Sequence, residues 1–497
     1  MLLLLGACVS PTTVQSVRPV VAGLPTSVIN MLATANIPQD AVGAVVIRAT
    51  DGVTILAHRP NASMQPASTL KTLTSIVGLE RLGPTYRGRT ELRSGGELVS
   101  GASGDLTLRG DLVLRGLGNP DLDWEAFQRL LQALRHKGIS EISGDLVLDR
   151  QWFQPSRPDL GVPPFDETPE FRYNVIPDAL LLNSNLLQLD FESGDQEKTL
   201  GMRIGMSPNL ERVTVVSNMK FIERACDKWE DGWILPTVSR DVDGGIRIDL
   251  QGEFPKKCSA STSINVLDRV DFADRLFRTL WRNLGGTFSG KVRETMPSDA
   301  SPVSMRLLAQ QQSRTLAEFT RDINKRSDNP IARLLYLSLG ALSTAENNLA
   351  TAARADVEVR SWLNQHAIDD AGLVLENGSG LSRSERIRPT QLAAVLKAAY
   401  QSDWAPEFMA SLPIVAVDGG MRNRLRASTA AGHARIKTGS LRDVAAVAGF
   451  VTDANNELCI VVVMINHPLA TGAVARPILD AVIDWVTRNP AVDSTQK

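Results

Sequence analysis

The chain has 497 residues, too many for one ordinary domain, so two or three are expected. Hydrophobic residues make up 43% of it, enough for soluble cores, and a formal net charge of -2 argues against nucleic acid or an anionic membrane as the main partner. No apolar run reaches about 18 residues, so no membrane-spanning helix is expected.

The chain opens on MLLLLGACVSPTT, a short apolar run ending in small residues and Cys8. Residues 1–23 read as the tail of a secretory signal, without the basic stretch that normally precedes one. Leu5-Gly6-Ala7-Cys8 is similar to a bacterial lipoprotein cleavage box, which makes Cys8 a candidate lipid anchor. SVINMLATANI, from Ser27, has helical periodicity. AVGAVVIRAT then reads as a strand, Asp51-Gly52 as a turn and VTILAHRP as a returning strand. Pro66, Ser68 and Lys71 follow, leading into TLTSIVGLERLG, which has helical spacing.

From about Thr90 to Ala300 the texture changes. GELVSG, GDLTLRGDLVLRGLGNPDL and SGDLVLDRQWF are short alternating strands separated by Gly-Asp turns. Their recurrence is too irregular for a solenoid. Residues 91–300 are read as a mostly β insertion with two subdomains. Cys226 and Cys258 lie in it and either pair, in an oxidising compartment, or stay as two thiols. Their spacing fits no zinc pattern.

Helical patterns return from Met305 to Tyr400. HARIKTGS is a short extended segment. VAAVAGFV and LCIVVVMIN are apolar strands joined by TDANNE, and Cys459 in the second is a buried small hydrophobe. ARPILDAVIDWVTRN is an amphipathic helix with Pro477 in its first turn. Neither end of the chain makes a full layer alone. Together they give about five strands with a helix from each terminus on one face, a layered α/β (α+β) fold. The domain so formed is discontinuous, residues 24–90 and 301–490.

Chemistry enters at Ser68. A serine hydroxyl needs a base within reach, and Lys71, three residues on, shares its helical face. A lysine is a base only when neutral, and burial or a second cation drives it there. Any Ser-x-x-Lys is common by chance, so other segments must supply the rest. KRSDNPIARLL puts Ser327, Asp328 and Asn329 between two helices, with Pro330 opening the second. Alone this reads as a helix cap made by Asp328 or Asn329. In IKTGS, Lys437 supplies the second cation and holds an anion. Gly439 permits close backbone approach. The N–H groups of Ser440 and Ser68 can form an oxyanion hole.

The three segments occur in the order SxxK, SxN, KTG, on a helix start, an interhelical loop and a strand. The set resembles that of penicillin-binding enzymes. Nearly the whole chain after the signal resembles the D-alanyl-D-alanine carboxypeptidase/endopeptidase family, the class C low-molecular-mass penicillin-binding proteins. GDLVLRGLGNPDL, GDLVLDRQWF, YNVIPDALLLNSN, ENGSGLSR, LPIVAVDGGMRNRL and KTGSLRDVAAVAGFV carry the resemblance, with the large insertion between Ser68 and Ser327. It implies a transpeptidase-like fold with a five-stranded antiparallel sheet flanked by helices. It also implies removal of the terminal D-Ala from peptidoglycan stem peptides, cleavage of D-Ala–meso-diaminopimelate cross-links, and acylation by β-lactam antibiotics, in the periplasm.

By the same resemblance Ser68 forms the acyl-enzyme and Ser327 relays a proton to the leaving amine. Asn329 orients Lys71 and the substrate amide, while Lys437 and Thr438 bind the terminal carboxylate. Arg383 and, within FDETPEF, Asp166 are candidates for contact with the stem, and Arg442 stands where polar residues meet substrate. Asn377 departs from the aspartate usual before Gly-Ser-Gly. No cofactor is implied, and no HExxH or carboxylate cluster suggests a metal. The competing readings are a β-lactamase-like hydrolase, for which no Glu-x-x-x-Asn element follows Asn329, and an inactive penicillin-binding scaffold. A homo-oligomer is left open.

Overall fold

The computed structural model of the protein describes residues 21–101, 104–194, 202–344 and 348–489; Cys8 and the signal-like run lie outside them. The two ends of the chain build one six-stranded sheet. Its order is Val21–Ala22, Thr54–His58, Val42–Arg48, Leu458–Asn466, Val444–Thr452, Arg435–Leu441. The last five strands pair antiparallel, as expected. The two-residue first strand adds a parallel sixth that its length kept from view.

The apolar runs are continuous because the sheet is covered on both faces. Alternation sorts them between two cores. Val45, Ile47, Ile460, Val462 and Met464 face the helices Lys71–Leu82, Leu316–Lys325, Asn329–Leu342 and Pro389–Gln401. Ala44, Val46, Val461, Val463 and Ile465 face the terminal helices Thr26–Thr34 and Gly472–Arg488. Cys459 lies in this second core, and burial pushes its thiol pKa up to about 12, as for an inert hydrophobe.

One helix boundary differs from expectation. The C-terminal helix starts at Gly472, so Pro477 lies inside it rather than in its first turn. The missing N–H deprives only the Ala473 carbonyl, near the helix start, and the flanking Ala475, Ile478 and Leu479 bury well enough to hold the helix together.

Between the terminal parts, strands Arg89–Ser94 and Arg306–Gln312 pair antiparallel and open a five-stranded sheet with Leu112–Leu117, Leu146–Asp149 and Val292–Glu294. A four-stranded sheet and helices Trp124–His136 and Arg269–Asn283 pack on it. Farther along the chain, Arg203–Ser207, Leu187–Glu192 and Ser259–Ile264 form one sheet, and four strands around Ile246–Pro255 form another. Cys226 and Cys258 are joined in a disulfide beside Phe191, Trp229 and Phe254. Closing a loop of that span stabilises the folded state by about 3–4 kcal/mol in the chain-entropy picture.

Candidate active site

Ser68 sits in the tight turn Ala67–Leu70, directly before the helix Lys71–Leu82. Ala67 is held at φ +47, a left-handed conformation that costs a non-glycine residue about 1 kcal/mol or more. The turn leaves Ser68 half-buried while Lys71 is fully buried. The Lys71 Nζ donates to Ser68 Oγ at 2.9 Å, to Asn329 Oδ1 at 2.6 Å and to the Ser379 carbonyl at 2.5 Å. Burial drives the Lys71 pKa well below that of a free lysine, and the charges of Lys437 and Arg333 add to it. Glu385 and Asp328 pull the other way without restoring it. A neutral amine next to a serine hydroxyl can take its proton.

The Ser327–Asn329 segment is both a cap and part of this cluster. Asp328 caps the helix Asn329–Leu342, accepting from the Ile331 N–H at 2.9 Å. Ser327, at φ +58, turns the chain so that its hydroxyl meets Lys437 Nζ at 2.9 Å. Asn329 is the first helical residue. Its Oδ1 takes Lys71 and its Nδ2 donates to the Tyr173 carbonyl at 3.0 Å. The amide is thereby fixed at both ends, by Lys71 and by a residue of the inserted region.

Lys437 is fully buried on the edge strand Arg435–Leu441, and desolvation lowers its pKa to about 7. It also donates to the Thr438 carbonyl at 2.8 Å. A Cβ on Gly439 would lie 2.8 Å from the Pro66 carbonyl and 3.0 Å from the Ser68 nitrogen, so only glycine lets the strand approach the nucleophile's turn. Ile436 donates its N–H off the sheet edge to the Pro413 carbonyl. By alternation the Ser440 N–H points off the same edge. Ser440 is exposed there, a suitable donor for an oxyanion.

The fourth wall is the segment Glu376–Glu385, whose importance the sequence reading missed. Its Ser379 carbonyl binds Lys71. A Cβ on Gly380, at φ +80, would lie within 1.9 Å of the Ala67 carbonyl, so the segment packs directly on the turn of Ser68. Glu385 is fully buried and accepts from the backbone N–H groups of Glu376, Asn377 and Gly378 at 3.0–3.2 Å. Burial raises its pKa, and those three donors oppose the rise. Asn377 accepts from Ser379 and donates from Nδ2 to the Leu381 carbonyl at 3.0 Å. An aspartate could not make that last bond, which accounts for asparagine here. In the sequence this wall showed as ENGSGLSR, a stretch of family likeness with Arg383 as a stem-contact candidate, and nothing there tied Ser379 or Glu385 to Lys71.

Arg383 and Asp166 do not touch the cluster. Arg383 is exposed beside Ser382 and Ser384 at the edge of a cleft of about 720 Å3. Its guanidinium covers the Phe165 ring at 4.8 Å and donates to the Arg442 carbonyl at 3.1 Å. Asp166 is committed to its own loop, accepting from the Tyr173 hydroxyl at 2.6 Å, Asn174 Nδ2 at 2.8 Å and the Thr168 N–H at 3.1 Å. Burial works to raise its pKa, but these donors outweigh that and hold it below the usual carboxylate value. Arg442 pairs with Glu167 at 2.7 Å in solvent, a contact worth little by itself. Among the described residues, no group of three or more His, Cys, Asp or Glu side chains is placed to hold a metal ion.

The chain shares 27% identity over 448 residues with the D-alanyl-D-alanine carboxypeptidase of Actinomadura sp. (strain R39), covering 88% of this chain and 80% of that one. It shares 28% identity over 441 residues with the D-alanyl-D-alanine carboxypeptidase DacB of Haemophilus influenzae, covering 87% of each. The crystal structure of penicillin binding protein 4 (dacB) from Haemophilus influenzae superposes with a TM-score of 0.75 at 23% identity, over 94% of this chain and 100% of that one, so the fold is shared. The sequence profile of the D-Ala-D-Ala carboxypeptidase 3 (S13) family matches residues 24–489, a span that contains all four walls of the cluster around Ser68, and the chain belongs to that family.

Proposed function

We propose that this chain is a serine-type D-Ala-D-Ala carboxypeptidase and D,D-endopeptidase acting on peptidoglycan stem peptides. One observation carries the reading: a fully buried Lys71, its pKa driven well down by desolvation, hydrogen-bonded to the half-exposed hydroxyl of Ser68. Lys71 takes the proton as Ser68 Oγ attacks the carbonyl of the penultimate D-Ala. The N–H groups of Ser68 and Ser440 receive the oxyanion. Ser327, held by Lys437, passes a proton to the leaving amine, and Lys437 with Thr438 binds the carboxylate beyond the scissile bond. Water then releases the ester. The β-lactam ring presents the same carbonyl and carboxylate and acylates the same serine.

Residues 24–90 and 301–490 form the peptidase domain in this reading, and residues 91–300 the insertion. The site of action is outside the cytoplasm, and the Cys226–Cys258 disulfide suits an oxidising compartment. Cys8 is the proposed attachment point for lipid. Arg383 and Arg442 meet the stem at the rim of the cleft, and Asp166 shapes the loop opposite them. The test is mass analysis of monomeric and cross-linked muropeptides after incubation with wild-type protein and with Ser68→Ala. Loss of one alanine and conversion of dimers to monomers, by wild type only, is expected. Equal products from both proteins would overturn the reading.

A further inference from the structure

The turn Arg172–Asn174 stands as a ridge between two clefts. Asn174 lines the cleft of about 720 Å3 together with Ser382 and Arg383. Tyr173 lines a second cleft, of about 640 Å3, together with Ser327 and Asn329. The ridge is braced on both sides. Asp166 holds Asn174 and the Tyr173 hydroxyl, Asn329 holds the Tyr173 carbonyl, and Arg172 pairs with Asp328 at 2.9 Å. The reacting groups are tied to a wall of each cleft. Lys71 is bound to the segment that walls the first, and Lys437 to the serine that lines the second.

The first cleft is lined by Arg383, the group assigned to the stem, and so belongs to the acyl side in the D,D-peptidase reading. The second lies on the side of Ser327, the group assigned to the departing amine. Its outer wall is the polar face of a sheet. Along Leu187–Glu192 the odd positions are buried and the even ones exposed, and Gln188 and Asp190 pair in register with Ser263 and Ser261. Asp190 accepts from Ser261 at 2.6 Å and from Gln188 at 3.1 Å, which fixes the hydroxyl and amide groups that line this wall. Arg172 and Arg326 add cations whose side chains are 54% and 78% exposed, and Glu230 adds a carboxylate. A lone departing D-Ala does not need such a surface. The volume is in the range of clefts that hold ligands of several hundred daltons.

We propose that this second cleft holds the departing peptide when the substrate is a cross-link: a polar chain with free carboxylates, held by Arg172, Arg326, Gln188 and Ser261. The proposal rests on the D,D-peptidase reading above and names its leaving-group subsite. In the step concerned, the amide C–N bond breaks as the Ser68 Oγ–C ester forms. The proton lost by Ser68 to Lys71 is matched by one delivered through Ser327 to the leaving nitrogen, so the second peptide departs as a free amine. Contacts remote from the reacting carbonyl then contribute to aligning it.

The test uses the full chain and three probes: a sugar-free stem pentapeptide, a sugar-free cross-linked peptide dimer, and benzylpenicillin. Ser261→Trp fills the cleft at its outer wall, away from Ser68. The expected result is a fall of about tenfold or more in kcat/KM for the dimer, with D-Ala release from the pentapeptide and acylation by penicillin within about twofold of wild type. Arg326→Glu is expected to shift the dimer selectively in the same direction. Retained acylation shows that the variants are folded. Unchanged dimer cleavage, or parallel losses on dimer and pentapeptide, overturns the proposal. A wild-type protein that releases D-Ala but leaves dimers intact also overturns it while sparing the carboxypeptidase reading, whereas failure on all three probes overturns both.

Discussion

Lys71 Nζ lies 2.9 Å from Ser68 Oγ and 2.6 Å from Asn329 Oδ1, with no solvent access of its own. A lysine held this way has lost the hydration that keeps it protonated, so its base function comes from burial more than from proximity. Lys71→Ala is expected to lower the rate of penicillin acylation by about 10²–10⁴-fold at neutral pH. The check is stopped-flow labelling with a fluorescent penicillin. A loss under threefold would mean that another group takes the Ser68 proton.

The two buried lysines set opposite limbs of a pH profile. Lys71 must be neutral, so kcat/KM falls as pH drops through its lowered pKa. Lys437 must be charged to hold a carboxylate, so kcat/KM falls as pH rises past its value of about 7 in the free enzyme. A bell results, because one lysine must be neutral and the other charged; burial, and then the charge on Lys437, lower the Lys71 pKa. Lys437→Arg is expected to remove the alkaline limb, since a guanidinium stays charged. An alkaline limb that persists in that variant would assign it to another group.

Glu385 acts through the segment it anchors. Glu385→Ala removes the acceptor of three backbone N–H groups and frees the carbonyl of Ser379 from its hold on Lys71. Acylation is expected to fall about tenfold or more. The acid limb is expected to move to lower pH as well, because Glu385 raises the Lys71 pKa while Lys437 and Arg333 lower it. Glu376 and Arg333 are the other charges facing this carboxylate. A purely structural loss would lower the rate without moving the limb, so the pH profile separates the two.

The disulfide belongs to the core of the insertion, not to the core that carries the nucleophile's helix. Replacing Cys226 and Cys258 together with serine is expected to destabilise the surrounding sheets by about 3–4 kcal/mol. Thermal melts followed by tryptophan fluorescence would report it, since Trp229 and Trp233 pack edge to face nearby. Penicillin acylation at 25 °C should stay within about twofold of wild type, because Ser68 and its partners lie in a separate core. Equal loss of both would show that the insertion and the site unfold as one unit.

The strands and the nucleophile's neighbours were legible in the sequence for a simple reason. Apolar runs such as those around Val447 and Val462 have few alternatives to a sheet covered on both faces, and Ser68, Ser327 and Lys437 each sit beside a local signal of glycine, proline or spacing. What was not legible depends on distant chain segments. Glu385 stands in a run of polar residues and looks solvated until Glu376–Gly380 closes over it. Tyr173 contributes a backbone carbonyl to Asn329, and no side-chain pattern announces a carbonyl. Whether Cys226 met Cys258 depended on two strands coming together across the insertion. Pro477 read as a helix start because its cost so near the first turn is small.

The most direct test of the central claim is peptide mapping by mass spectrometry after brief incubation with benzylpenicillin. The account predicts a single penicilloyl adduct on the peptide that contains Ser68, formed by the wild type and absent from Ser68→Ala. An adduct on another serine, or one that survives in Ser68→Ala, would contradict it.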